Sequence, residues 1–379
     1  MDLGGVAPKP ITTVKSLILS IIFILVATAM SHYMATFINP NDTLPASPGV
    51  PKHISNKLHL TTYEAHIITA SIDPSTIGHT LADVGGLAKI KEDVYLNIVL
   101  PLKSPKTFFG KLKCLEPSRG AVFVGAPGTG KTMLAKAIAA EAGVNLLCLT
   151  LSMLENKYFG ESSKLLSAAF SLATKIQPCI MFFDEIDGMM RERGSDEQSS
   201  SYGFKTEFLV HMDSMMAKCT DAVIVIGSTN NMKVLDPALK RRLPKVYHLE
   251  KPTPSERGTI LDLLLQKEPE GLRLIPDDQY VHVIKHTGGY TGSDLKEVYR
   301  LAAASRLHRQ LATPEFRTLL QNNVDLEGYI DSIRKEDWQH ALAEYAKCKQ
   351  CADMEYCGTD RTTELLNTLK KSMSGTNLA

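Results

Sequence analysis

An eight-residue, glycine-rich stretch constrains the fold of this chain more than any other feature. Residues 125–132 read GAPGTGKT, between an apolar run at 120–124 (GAVFV) and the helical pattern MLAKAIAAEAG at 133–143. A strand, a glycine-rich loop and a helix in this order bring backbone N–H groups and a helix N-terminus to one point, which suits a phosphate group. The pattern therefore predicts a nucleotide-binding loop. An ordinary glycine-rich turn, the alternative, would not require the flanking strand and helix.

This loop supplies most of the residues that we predict to bind the nucleotide. Lys131 is expected to reach the β and γ phosphates of ATP, and the Thr132 hydroxyl is expected to bind Mg²⁺. The other predicted nucleotide-binding positions in the loop are Gly125, Ala126, Pro127, Gly128, Thr129 and Gly130. ATP and Mg²⁺ are thus the expected ligands.

Two further apolar runs end in polar residues. Residues 179–183 (CIMFF) are followed by Asp184 and Glu185. Residues 222–226 (AVIVI) are followed by GST and then by Asn230. Because the carboxyl ends of parallel strands open on a ligand crevice, these side chains are expected to face the nucleotide. We predict that Asp184 holds Mg²⁺, that Glu185 polarises the attacking water and that Asn230 senses the γ-phosphate.

Arg241 and Arg242 form an adjacent pair a short distance after this third run. At the rim of the domain such a pair cannot easily fold back onto its own nucleotide, so we expect it to act across a subunit boundary. A solvated surface is the usual explanation for an arginine pair alone. The prediction therefore rests on the position of the pair relative to the other motifs.

The N-terminal part of the chain contains a candidate membrane span. Between Lys15 and Asp42 there is no Asp, Glu, Lys or Arg, and residues 16–38 are mostly apolar. As a helix, this segment would be about 34 Å long, enough to cross a bilayer. A cleaved secretory signal and a buried core helix are the alternatives. Lysines on both sides leave the orientation undetermined, and four prolines within 39–51 predict an extended tether.

The overall amino-acid composition is that of a folded protein. The 379 residues include 42 Lys and Arg against 41 Asp and Glu, and this balance argues against a nucleic-acid partner. Seven scattered cysteines favour a reducing compartment. Cys348, Cys351 and Cys357 have a metal-like spacing but lack a fourth ligand for a closed zinc site, so we expect reduced thiols.

In their order along the chain, these motifs resemble those of the AAA ATPases. They are DVGGL at 83–87, GAPGTGKT at 125–132, FFDEID at 182–187, GSTN at 227–230, the arginine pair and GGYTGSDL at 288–295. The chain is most similar to the outer-mitochondrial-membrane members that extract mislocalised tail-anchored proteins. The segments that carry this similarity are 168–187, KYFGES at 157–162, LKRRLPKVYHL at 239–249 and the single span with its tether. The membrane-anchored AAA proteases are excluded because no H-E-x-x-H motif occurs.

The resemblance implies an α/β fold, a P-loop NTPase module of the AAA type. It would combine a doubly wound parallel sheet with a small helical lid, after one N-terminal transmembrane helix. The expected parts are a short segment (1–15), the transmembrane helix (16–38), a tether and linker (39–78), the large nucleotide-binding subdomain (79–252), the lid (253–346) and a C-terminal tail (347–379). Asp83 and Gly85 would contact the nucleotide from the large subdomain, and Gly292 and Ser293 would contact it from the lid.

The resemblance also implies a homo-hexamer in which the Arg pair serves the neighbouring subunit. Tyr158 and Phe159 would line its central pore and grip tail-anchored protein clients. The expected location is the mitochondrial outer membrane, with a single span and the ATPase domain in the cytosol, and the peroxisomal membrane is a second option.

Two other functions are weighed against this one. The first is a microtubule-severing or endosomal-sorting-disassembly ATPase, for which residues 39–78 are too few to hold the usual interaction module. The second is a membrane scaffold that binds ATP without hydrolysing it. The presence of both Asp184 and Glu185 argues against that scaffold.

Overall fold

The computed structural model describes residues 59–111, 117–154, 161–190, 199–218, 221–268, 276–322 and 329–352. The predicted span at 16–38, the predicted pore residues Tyr158 and Phe159, and Cys357 lie outside these ranges. Within them, no helix combines the length and the apolar character needed to cross a bilayer.

A six-stranded sheet forms the centre of the α/β part of the structure. Its strands are β1 (Ser71–Ile72), β2 (Gly120–Gly125), β3 (Asn145–Leu149), β4 (Cys179–Phe183), β5 (Val223–Thr229) and β6 (Lys245–Leu249). Their order across the sheet is β1-β3-β4-β5-β2-β6. Strands β2 to β6 pair in parallel, as expected of a P-loop α/β fold.

The expectation of a wholly parallel sheet is corrected at one edge. Strand β1 pairs antiparallel with β3, so the sheet is mixed. Because β1 precedes the first strand–helix–strand unit, no crossover connection fixes its direction. The strand belongs to the range predicted as tether and linker, yet it extends the sheet.

The apolar runs that mark β4 and β5 are buried on both faces of the sheet. Alternate residues of each strand enter separate hydrophobic clusters, with Met181 and Phe183 in one and Ile180 and Phe182 in the other. Successive side chains of a strand point to opposite faces, so the two clusters lie on the two sides of the sheet. A strand of this kind shows a continuous apolar run instead of alternation.

Helices cover both faces of the sheet. They are α1 (Thr62–Ile67), α2 (Ala88–Val94), α3 (Leu100–Lys103), α4 (Lys131–Ala142), α5 (Leu151–Leu154), α6 (Glu161–Lys175), α7 (Ile186–Met190), α8 (Ser199–Ala217) and α9 (Pro237–Arg242). A π-helical turn at Tyr95–Val99 joins α2 to α3. Helices α6 and α8 contribute to the cluster that contains Phe183, and α4 contributes to the cluster that contains Phe182.

The part of the chain predicted as the lid is a separate helical unit with its own core. Its helices are α10 (Pro254–Leu265), α11 (Asp277–His286), α12 (Gly292–Leu311), α13 (Pro314–Gln321) and α14 (Lys335–Ala352). Leu261, Val298, Ala302 and Trp338 are nearly inaccessible to solvent and pack together. The last helix continues past residue 346, the predicted end of the lid.

Candidate active site

The glycine-rich loop joins β2 to α4, as the sequence pattern predicts. Strand β2 ends at Gly125 and helix α4 begins at Lys131. Gly128 and Gly130 have φ angles of +78° and +95°, in the left-handed region that residues with a Cβ adopt at a cost. These two glycines therefore give the loop the tight path that turns its backbone toward the N-terminus of α4.

Lys131 links this loop to the end of a neighbouring strand. Its Nζ donates to the carbonyl oxygens of Gly125 at 2.7 Å and Ala126 at 3.1 Å, and to Asn230 Oδ1 at 2.8 Å. Burial removes water from the ammonium and lowers the pKa of Lys131 below its ordinary value. The structure thus brings together the predicted phosphate-binding lysine and the predicted sensor asparagine, which are far apart in sequence.

A hydrogen-bonded group of four residues joins the loop to the ends of β4 and β5. Thr132 Oγ1 donates to Asp184 Oδ2 at 3.0 Å, and Ser228 Oγ donates to Asp184 Oδ1 at 2.5 Å. Ser228 Oγ also accepts from the backbone N–H of Glu185 at 3.1 Å. Both oxygens of the Asp184 carboxylate are therefore held by hydrogen bonds from side-chain hydroxyls.

The backbone of Glu185 is in a conformation that glutamate rarely adopts. Its φ angle is +52°, a left-handed geometry that costs on the order of 1–3 kcal/mol in a residue with a side chain. The bond to Ser228 and a bond from the Gly188 N–H to the Glu185 carbonyl at 2.9 Å hold this geometry. While Asp184 is half-buried, Glu185 is exposed, so its carboxylate is accessible to a water molecule.

The lid contacts the glycine-rich loop directly. The Ser293 N–H donates to the Gly128 carbonyl at 3.2 Å, at the first turn of α12. A Cβ on Gly128 would lie 2.7 Å from Thr291 Oγ1, closer than such contacts occur. The predicted lid residues Gly292 and Ser293 are thus placed beside the loop.

The upstream segment 83–87 lies against the lid helix α10. A Cβ on Gly85 would overlap the side chain of Ile260, and the Leu87 N–H donates to Glu256 Oε1 at 2.9 Å. The Asp83 carboxylate accepts from the Thr80 backbone N–H at 2.7 Å and from its hydroxyl at 2.9 Å. Asp83 therefore closes a local turn, and its predicted contact with the nucleotide stays a prediction.

The two arginines of the predicted pair have different surroundings. Arg242 makes a bidentate ion pair with Asp213 of α8, with Nε at 2.7 Å and Nη2 at 2.5 Å from the carboxylate oxygens. This hydrogen bonding lowers the pKa of Asp213. Arg241 is exposed at the end of α9. Asp213 therefore orients Arg242, while the Arg241 side chain extends toward solvent.

Comparison with known proteins decides the family. Residues 121–251 match the family described as the ATPase family associated with various cellular activities (AAA). The outer mitochondrial transmembrane helix translocase of Xenopus tropicalis is 38% identical over 291 residues, which cover 77% of each chain. The human protein of the same name is 35% identical over 293 residues, covering 77% of this chain and 78% of the relative. The chain belongs to the outer mitochondrial transmembrane helix translocase family of AAA ATPases. It is an ATP-hydrolysing enzyme.

Two more similarities concern other members of the AAA ATPases. A crystal structure of the FIGL-1 AAA domain aligns with a TM-score of 0.61 at 27% identity, over 78% of this chain and 96% of that one. Spastin of Ixodes scapularis is 33% identical over 72% of this chain but only 41% of its own length. The AAA ATPase core is common to both. The match to spastin covers less than half of that protein, whereas the translocases match this chain over most of their length.

Two side-chain oxygen atoms in this AAA ATPase are suitable ligands for Mg²⁺. Thr132 Oγ1 and Asp184 Oδ2 are 3.0 Å apart, and both are half-buried oxygen donors beside the phosphate loop. Hard cations of this kind prefer oxygen ligands, commonly one or two from the protein with phosphate and water supplying the rest. Thr132 and Asp184 are therefore the residues that would hold the metal.

Four residues that shape the AAA ATPase site were not assigned from sequence. Each bonds to a predicted site residue or to a residue within two positions of one, and the four are Ser228, Glu256, Thr291 and Asp213. For Ser228 a signal existed, since it is a polar residue at the end of an apolar strand. The other three act on residues distant in sequence or on a helix terminus, and their roles become visible only in the fold.

Proposed function

We propose that this chain is a membrane-anchored, hexameric AAA ATPase that extracts mislocalised tail-anchored proteins from the mitochondrial outer membrane. Its ATPase domain would lie in the cytosol, and the peroxisomal membrane is a second location. One observation carries the proposal: a hydrogen-bonded Thr132–Asp184–Ser228–Glu185 group occurs in a chain that matches helix translocases over about three quarters of both lengths. The hydrogen-bonded group supports ATP hydrolysis, and the match to the translocases supports extraction of membrane proteins as the work that hydrolysis drives.

Several residues of one subunit would have separate roles in ATP hydrolysis. Lys131 would contact the β and γ phosphates, and Asn230, already bonded to Lys131, would meet the γ-phosphate beside it. When bound, Mg²⁺ neutralises charge on the phosphate oxygens. The exposed Glu185 carboxylate would accept a proton from the attacking water, and Ser228 fixes the backbone from which this carboxylate extends.

A ring would complete each site with arginines from the next subunit. Arg241 is exposed at the end of a helix that leads away from β5, so its side chain is available to a neighbour. Arg242 is oriented by Asp213 and would contribute from a fixed position. Positive charge supplied in trans stabilises the charge that develops on transferred phosphoryl groups. This arrangement makes hydrolysis depend on assembly.

Client gripping is assigned to Tyr158 and Phe159. They lie between α5, which ends at Leu154, and α6, which begins at Glu161. In a hexamer, the segment 155–160 would occur six times around the pore. Aromatic rings there would present flat, adaptable surfaces to many different client sequences.

The experiment is a reconstituted extraction assay with the full chain. The protein and a fluorescent tail-anchored model protein are placed in liposomes, and release of the model protein into a soluble trap is measured with ATP. Glu185→Gln should bind ATP yet lose about 10²- to 10⁴-fold in turnover, as expected when a general base is removed, and release should stop. Normal ATP hydrolysis without release, accompanied by severing of stabilised microtubules, would favour the severing function instead.

A further inference from the structure

Two residues of the last lid helix bind the same carboxylate at the start of another helix. Tyr345 OH donates to Asp294 Oδ1 at 2.5 Å, and Lys349 Nζ donates to Asp294 Oδ2 at 2.9 Å. Both bonds are charge-assisted and therefore stronger than bonds between neutral groups. Helix α14 is thus fastened to the first turn of α12 through one side chain.

Asp294 is also the residue that defines the beginning of α12. Its carboxylate accepts from the Thr291 backbone N–H at 2.8 Å, and its own N–H donates to Thr291 Oγ1 at 3.3 Å. This reciprocal capping box satisfies two N–H groups that a helix N-terminus otherwise leaves unpaired. The position of Thr291 therefore follows the position of Asp294.

The same turn of α12 forms the contact with the phosphate loop. Ser293 donates to the Gly128 carbonyl at 3.2 Å, and Thr291 packs against Gly128 so closely that a Cβ there would not fit. A continuous series of contacts thus runs from Tyr345 and Lys349, through Asp294, to the loop that holds the nucleotide.

The two groups that bind the Asp294 carboxylate also contact the aromatic ring of Tyr290. Lys349 Nζ lies 4.3 Å from the centroid of the Tyr290 ring, and the rings of Tyr290 and Tyr345 meet edge to face at 5.3 Å. Burial alone would raise the pKa of Asp294, but the bonds from Thr291, Tyr345 and Lys349 lower it on balance. The carboxylate is therefore charged at neutral pH and able to hold both partners.

We propose that Tyr345 and Lys349 are positioning residues for nucleotide binding, because they hold the first turn of α12 on the phosphate loop. Neither residue needs to touch ATP. Their effect is exerted through Asp294 and the Ser293–Gly128 contact, which fixes the lid against the loop. The proposal concerns the nucleotide site alone and does not depend on whether the chain extracts membrane proteins.

Coupling between two sites is reciprocal, and this provides an independent readout. If the contact of α14 with Asp294 favours nucleotide binding, then bound nucleotide must favour the contact of α14 with Asp294. Backbone N–H groups of Lys335–Ala352 should consequently exchange with deuterium more slowly when MgADP is added. A helix that served only to complete the lid core would slow no more than the other lid helices, because bound nucleotide stabilises the whole fold.

The test uses the full chain and concerns the clamp, defined as the Tyr345 and Lys349 side chains that bind Asp294. Two clamp variants are compared with a matched control. Tyr345→Phe and Lys349→Met each remove one bond to Asp294. Tyr299→Phe removes a comparable hydroxyl, which bonds to Glu268 in the same lid. The Kd for fluorescently labelled MgADP is measured for each variant, together with its melting temperature and with the KM and kcat for ATP.

Tyr345→Phe and Lys349→Met should raise the Kd for MgADP about fivefold or more, the lower range of couplings between sites. The KM for ATP should rise with it, Lys349→Arg should restore most of the affinity, and Tyr299→Phe should leave the Kd unchanged. The proposal is overturned by an unchanged Kd in the two clamp variants, or by an equal rise in the control. Should Tyr345→Phe fail to fold, Lys349→Met decides alone, because the Lys349 side chain is 35% exposed and tolerates replacement.

Discussion

The Ser228 hydroxyl donates to Asp184 Oδ1 at 2.5 Å and accepts from the Glu185 N–H at 3.1 Å. One fully buried side chain on β5 thereby holds both residues that follow β4. It orients the carboxylate that is expected to hold Mg²⁺, and it supports the left-handed backbone from which the expected general base extends. The geometry of the two acidic residues therefore depends on the neighbouring strand.

Replacing Ser228 by Ala should lower the kcat for ATP hydrolysis about tenfold. The change leaves the Glu185 N–H without its partner, and an unsatisfied buried donor costs about 1–3 kcal/mol, which relaxation of the strained backbone would relieve. Steady-state ATPase assays measure the effect, with the Kd for MgADP as the control for intact binding. A kcat within twofold of the wild-type value would show that Ser228 does not position Glu185.

Mixing two inactive variants should restore part of the ATPase activity. Lys131→Ala subunits lack the phosphate contact, and Arg241→Ala/Arg242→Ala subunits lack the arginines that are expected to act on a neighbour. In mixed rings, some sites combine an intact loop with an intact arginine pair. Activity is measured after the two proteins are combined under conditions in which mixed rings form.

Arg242 also pairs with Asp213 within its own subunit, so a control is required for that bond. Asp213→Ala removes the ion pair but retains both arginines. Should Asp213→Ala reproduce the whole defect of the arginine variant, or should mixed rings show no more activity than their parents, the trans assignment would be incorrect.

Glu64 should make stability depend on pH below its ordinary pKa of 4.5. Although burial would raise its pKa, hydrogen bonds from Lys175, Thr61 and Ser171 lower it on balance. A lowered pKa means that the charged form stabilises the fold above pH 4.5, and this contribution is lost as the pH falls through the folded-state value. Glu64→Gln should therefore reduce the free energy of unfolding by about 1–3 kcal/mol at pH 7 and by less at low pH.

Denaturant unfolding of the two proteins between pH 3 and pH 7 tests this point. Glu141→Gln is a suitable control, because Glu141 pairs with Lys103 at the surface at 3.2 Å, where ion pairs contribute little. If the difference in the free energy of unfolding between wild type and Glu64→Gln stays constant over this range, the charged form of Glu64 does not stabilise the fold.

The sequence was sufficient to predict those parts of the fold that local pattern encodes. The loop at 125–132 and the buried run 179–183 carry their own flanking signals, and the order of motifs identified the AAA ATPase core that the comparisons confirm. Asp184 and Asn230 could be placed at one edge because parallel strands end together. Each motif could be recognised from a few adjacent residues.

What the sequence did not reveal depends on contacts between distant residues. Strand β1 has two residues, too few for any periodicity, and its antiparallel direction is set by the edge of β3. Tyr345 reaches Asp294 across 51 positions, and Arg242 reaches Asp213 across 29. No local pattern distinguishes such partners from other polar residues on a helix surface, so only the fold identifies them.

The central claim is that ATP hydrolysis by this chain moves a client through a pore. It is tested most directly by Tyr158→Ala/Phe159→Ala in the liposome extraction assay, with basal ATPase activity and thermal melts measured on the same protein. If the two rings grip the client, the variant should keep its melting temperature and its basal ATP turnover while releasing no tail-anchored protein. Undiminished extraction by this variant would contradict the account. So would loss of extraction together with a lowered melting temperature, because lost core packing costs several kcal/mol of the free energy of unfolding.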